Sequence, residues 1–103
     1  DTGLQLPIEK KSSASAWHLF VIRTKARNQL QKHLTISGVE SLIHYPTPPN
    51  KQKCYSRGEN NQVFSRAESI AQEILSIPIG PHLNSEAANF VCETIKSFDK
   101  FSA

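Results

Sequence analysis

The sequence predicts an α+β domain in two layers: a small three-stranded sheet with helices packed on it, in the order β-α-β-loop-α-β-α. Three observations predict it. Residues 17–23 (Trp-His-Leu-Phe-Val-Ile-Arg) are almost continuously apolar and rich in aromatic and β-branched side chains, as expected of a central strand covered on both faces. Three later stretches repeat apolar residues at spacings of three and four, the mark of amphipathic helices. Between the first and second of these lies a polar stretch, residues 46–62, opened by three prolines in four positions.

Residues 1–16 carry Leu4, Leu6, Pro7 and Ile8 and then a run of small and polar residues, so they read as a linker or partly ordered segment, leaving 17–103 as the domain. His18 reads as a packed or strand-edge histidine. Thr24 can cap a helix whose inner face is Ala26, Leu30, His33 and Leu34, and Gly38 offers the left-handed stop. Residues 39–45 alternate Val39, Ser41, Ile43, Tyr45 against Glu40, Leu42, His44, a second strand, parallel or antiparallel to the first. Ser65 and Glu68 form a capping box, with Ala67, Ile70, Ala71, Ile74 and Leu75 as the buried stripe behind it. Residues 76–79 alternate around Pro78, which argues for an edge strand. Asn84 or Ser85 caps a last helix, whose inner face is Ala87, Ala88, Val91, Cys92, Ile95 and Phe98.

The 103 residues suffice for one domain, which buries roughly 65% of the surface its unfolded chain exposes. No apolar run approaches the ~20 residues that span a bilayer, and residues 1–16 lack signal-peptide order. Two cysteines 38 positions apart fit a reducing compartment, Cys92 as a core residue and Cys54 as a free loop thiol. The expectation is a cytoplasmic protein without a membrane partner. No metal or catalytic residue is expected: the four histidines lack ligand spacing, the four glycines never cluster, and there is no GxSxG.

Charge is uneven along the chain. Residues 1–66 carry ten Lys and Arg against four Asp and Glu, and residues 67–103 two against five, or +6 and −3. The prolines end the second strand near Tyr45 and hold the following chain at the surface, so His44 and Tyr45 fall at a sheet rim where ligand contacts concentrate. Lys51, Lys53 and Arg57 just beyond make that loop attractive to phosphate. These five residues are the candidate substrate-binding set. An independent anion- or nucleic-acid-binding module is the alternative, but Trp17, Phe20, Phe64 and Phe98 occupy core-like positions. Only Tyr45 and Tyr55 stay near the basic loop, too few to stack bases, and no nucleic-acid partner is expected.

The succession of residues 17–23, Leu30, Leu34, Gly38-Val39, His44-Tyr45-Pro46 with Pro48, Phe64 with Ala67-Glu68, Leu75-Ser76-Ile77-Pro78-Ile79, Glu86 and Val91 resembles the C-terminal part of the DegT/DnrJ/StrS family of pyridoxal-phosphate-dependent sugar aminotransferases. The resemblance runs from about residue 4 to 101. It implies the small domain of a fold type I enzyme acting on a nucleotide-linked keto-sugar. Its implied partners are an N-terminal cofactor domain absent from this chain, the nucleotide-sugar substrate and, for the full-length enzyme, a second copy in a homodimer. This stretch alone is expected to be monomeric, inactive and free of the cofactor. Asn50 stands where the family often has a histidine, and Ser65 where it often has a proline. Lys100, in Ser97-Phe98-Asp99-Lys100, echoes the context of the family's Schiff-base lysine, but it is one residue too short and at a chain end where no buried pocket is expected to depress its pKa.

Overall fold

A computed structural model describes residues 3–55 and 62–98. Three antiparallel strands, β1 (Leu4–Gln5), β2 (Phe20–Thr24) and β3 (Ile74–Ile77), form a sheet in that spatial order. Three helices accompany it: α1 (Arg27–Ile36), α2 (Ser65–Glu73) and α3 (Ser85–Lys96). The apolar run is thus the central strand, as expected, and β3 is an edge strand ending just before Pro78. Ile22 and Leu75, directly paired, turn to the face covered by α1 and α3 and join Leu30, Leu34, Val39, Val91, Ile95 and Phe98 in the core. Ile22, Leu30, Leu34 and Leu75 are fully buried, and each such side chain contributes roughly 1.5–3 kcal/mol by leaving water. The other face of β2 is only half covered, with Val21 and Arg23 partly exposed.

The second expected strand, over 39–45, does not form, and the sheet takes its third strand from Leu4 and Gln5. Leu42 makes a single bridge to Ser76, through N–H···O bonds of 3.0 and 2.7 Å. In an antiparallel ladder the next bonded pairs would be 40 with 78 and 44 with 74. Pro78 has no N–H, and the N–H of Ile74 is committed to the Ile70 carbonyl at the end of α2. The ladder is closed at both ends.

Helix ends follow the sequence with small shifts. Gly38 takes φ +81°, its N–H bonds the Thr35 carbonyl at 3.1 Å, and Val39 bonds back to Leu34 at 2.8 Å, which brings two core residues together as it ends α1. The cap of α1 is Ala26 rather than Thr24, whose hydroxyl accepts the Ala26 N–H at 3.1 Å. Asn84 caps α3 by accepting from the Ala87 N–H at 2.8 Å. The stripe expected of α2 is cut short: Ile74 and Leu75 belong to β3, which follows the helix with no intervening residue.

Two expectations about the core fail. Cys92 is exposed; the buried positions of α3 are Val91, Ile95 and Thr94, the last of which can be buried because its hydroxyl donates to the Phe90 carbonyl at 2.8 Å. Trp17 and Phe64 are also exposed, the former stacked on Phe20 with centroids 5.3 Å apart, so only Phe20 and Phe98 serve the core.

Candidate functional site

The proline-stiffened loop leaves the sheet at the Leu42 bridge. His44, half-buried, brings Nδ1 to 2.9 Å from the Ser76 hydroxyl, so β3 fixes the imidazole just as the chain departs. It lines an open cleft of about 760 Å³ together with Leu42, Ser76, His18 and His82. Tyr45 is 70% exposed and meets the His44 ring edge-on, 5.4 Å between centroids. The peptide joining them is cis.

Beyond the prolines the chain is less free than its composition suggests. Residues 49–51 make a single 3₁₀ turn, Lys51 N–H bonds the Pro48 carbonyl at 2.9 Å, and the Gln52 amide donates to the Thr47 carbonyl at 2.9 Å. Asn50 Nδ2 donates to Glu68 Oε1 at 2.8 Å, and Lys51 Nζ lies 3.8 Å from the same oxygen. Of the five candidate residues, His44 and Tyr45 are adjacent at the loop's start, Lys51 is drawn to Glu68, Lys53 is exposed, and Arg57 lies outside the described residues.

Three participants were not legible as site residues. Glu68 reads as one half of a capping box, and it does accept the Phe64 N–H at 3.2 Å, with Phe64 rather than Ser65 at the cap position. Its tie to Asn50 spans 18 positions and has no local signal. The Asn50 hydrogen bond and then the Phe64 N–H hold the Glu68 carboxyl below its ordinary value against the opposing effect of burial, with the charge of Lys51 adding the smallest contribution. A depressed carboxyl pKa favours the folded state above the ordinary value and loses that effect as pH falls through the depressed one. Ser76 is a buried strand residue whose pattern says nothing of a histidine partner. Arg27 is buried too, its Nη1 donating to the carbonyls of Ile74 at 3.2 Å and Ala71 at 3.4 Å. The available clue is that an arginine in a helix's first turn opposes the helix dipole and so needs another reason.

Every lysine among the described residues is exposed. The ammonium of Lys96 is pushed up by the hydrogen bond and charge of Glu93, opposite to what an amine poised for Schiff-base chemistry requires. The described residues therefore do not fit the covalent anchor of a pyridoxal cofactor. No group of three or more metal-ligating side chains occurs among them, and no helix among them is long and apolar enough to cross a membrane.

A small antiparallel sheet backed by helices, edged by a loop that carries His44 and Tyr45, is an α+β fold found in part of the aminotransferases. The chain belongs to the DegT/DnrJ/EryC1/StrS aminotransferase family, whose model matches residues 1–96 and whose members depend on pyridoxal phosphate. It is 50% identical over 96 residues to the erythromycin biosynthesis sensory transduction protein EryC1 of Saccharopolyspora erythraea, covering 92% of this chain and 26% of that protein. It is 39% identical over 98 residues to the dTDP-3-amino-3,4,6-trideoxy-alpha-D-glucose transaminase of Streptomyces venezuelae, covering 93% and 26%. Among solved structures it is similar to S. venezuelae DesV in complex with a ketimine intermediate, with TM-score 0.86, 36% identity and coverage of 93% of this chain and 26% of that one. An aminotransferase of the family from Brucella abortus gives TM-score 0.84 at 26% identity, again covering 93% and 26%. The chain thus spans about a quarter of the length of these relatives.

Proposed function

We propose that this chain is the C-terminal domain of a cytoplasmic aminotransferase that transfers an amino group to a nucleotide-linked keto-sugar, with a homodimer as the working enzyme. The cofactor, when bound to the rest of the enzyme, supplies the electron sink for amino transfer. This chain supplies no lysine to it and is inactive alone. Its own part is to wall the substrate cleft. Tyr45 offers a flat apolar face and a hydroxyl to the sugar, and His44, its Nδ1 tied to Ser76, keeps its other ring nitrogen for a hydroxyl or carbonyl oxygen. Lys51, Lys53 and Arg57 draw in the diphosphate.

The observation that carries this reading is the position of Tyr45, a large aromatic side chain left 70% exposed on a loop tied down on both sides of it. An exposed aromatic on rigid backbone is poised for contact at little entropic cost. The similarity to a dTDP-sugar transaminase supports the substrate class. The test uses the full-length enzyme containing this chain. Tyr45→Phe and His44→Ala should raise KM for the sugar nucleotide or lower kcat/KM, leaving cofactor absorbance and the amino-donor half-reaction nearly unchanged. Wild-type kinetics in both variants, with only thermal stability lost, would make the two residues structural and refute the assignment.

A further inference from the structure

We infer that Glu68 is a positioning residue for the substrate loop, holding the turn at Asn50 so that Tyr45 is presented in one place; this rests on the proposed contact of His44 and Tyr45 with the sugar nucleotide. A glutamate in the first turn of a helix can be wholly occupied by capping. Here the bond to the cap N–H, 3.2 Å, is longer than the 2.8 Å bond the same oxygen accepts from Asn50. The carboxylate is committed at least as much to the loop as to its own helix.

What lies between Asn50 and Tyr45 makes that grip consequential. Of the four intervening residues, 46–49, three are prolines whose φ is locked, so a displacement at Asn50 is passed along the chain instead of being absorbed by it. On the other side of Tyr45, His44 is held by the Ser76 hydroxyl and Leu42 by its bridge to the Ser76 backbone. Tyr45 is therefore suspended between two anchors, one on β3 and one on α2. Because α2 runs directly into β3, the two anchors sit on one continuous stretch of chain. Lys51, with a side chain 56% exposed and 3.8 Å from Glu68, makes an ion pair of the kind that adds little by itself. What Glu68 supplies is place, not attraction.

Two variants of the full-length holoenzyme separate position from charge. Glu68→Gln keeps an acceptor oxygen at the same reach for Asn50 and Phe64 but drops the charge facing Lys51; Glu68→Ala removes both. Hydrogen exchange read by mass spectrometry should speed up in peptides covering 46–55 in Glu68→Ala and stay near wild type in Glu68→Gln. With whichever of a dTDP- and a UDP-linked 3-keto-hexose the wild type aminates, Glu68→Ala should raise KM about fivefold with kcat and the amino-donor half-reaction within about twofold, and Glu68→Gln should restore most of the loss. Unchanged exchange in Glu68→Ala overturns the inference outright. Faster exchange with an unmoved KM, while Tyr45→Phe does raise KM, also overturns it and leaves the substrate assignment standing. Should Tyr45→Phe and His44→Ala be silent as well, the substrate assignment itself falls and the positioning role goes with it.

Discussion

Replacing Arg27 with methionine tests how the α2–β3 junction is held. The guanidinium is almost wholly buried and spends Nη1 on two carbonyls, Ile74 at 3.2 Å and Ala71 at 3.4 Å, with Nε on the Asn28 side chain at 2.6 Å. Ala71 and Ile74 bracket the point where helix turns to strand, where a helix leaves its last carbonyls without intrahelical donors. A hydrogen bond from a charged donor is worth about 1.5–3 kcal/mol at good geometry, and these two carbonyl bonds are long, so about 1 kcal/mol each is a fair expectation. Taking out of the interior a cation that has no carboxylate partner among the described residues gives some of that back. Methionine fills much the same volume, so no large cavity term enters, and the net loss should be about 1–2 kcal/mol. For a domain of this size that lowers the midpoint of thermal unfolding by roughly 5–15 °C, readable by circular dichroism on the 103-residue chain. The fault should also be local, with faster amide exchange at Leu75 and Ser76 than elsewhere in the sheet. An unchanged or raised midpoint would refute the reasoning, since it would mean that desolvating the guanidinium costs as much as its hydrogen bonds return.

Gly38→Ala should lower stability by about 1 kcal/mol: φ is +81°, and an added Cβ would meet nothing within 4 Å, so the whole effect is the left-handed backbone. Urea denaturation measures it, and a loss above roughly 3 kcal/mol would point to a clash that the geometry does not contain. Incubating the chain with pyridoxal phosphate should give no stoichiometric cofactor absorbance band near neutral pH. A band abolished by Lys100→Ala would overturn that expectation.

The central strand, the three helices, the stop at Gly38 and the start at Asn84 were legible because each is written in local chemistry: apolar periodicity, a residue tolerant of positive φ, a side chain able to accept an N–H. The strand expected over 39–45 misled because its alternation is genuine, but alternation cannot report what the facing edge has left to bond. That edge is limited by Pro78 and by the helix end at Ile74, both far along the chain. Leu4 and Gln5 were missed for the converse reason. Two residues are too few to show a period, and they are ordered by β2 rather than by themselves. Spacing alone points Cys92 to the core, yet it is exposed, while Thr94 is buried at little cost because its hydroxyl bonds its own helix.

The site divides in the same way. His44 and Tyr45 stand out in the sequence because proline chemistry marks where a strand must stop, and the basic residues stand out by charge. The residues that hold the loop do not, since Ser76 and Glu68 each have a sufficient local explanation, one as a strand residue and one as a helix cap. Their second role exists only because α2 and β3 run together without a break. That continuity puts Glu68 at one end of an element and Ser76 near its other end, and the loop crosses from one to the other, gripped at His44 by 2.9 Å and at Asn50 by 2.8 Å. Arg27, bonding the carbonyls at the helix-to-strand point, secures the middle of the same element from α1. A loop whose composition reads as unanchored is thereby fixed at two points by a single support. The stability of the α2–β3 junction and the placement of Tyr45 should rise and fall together.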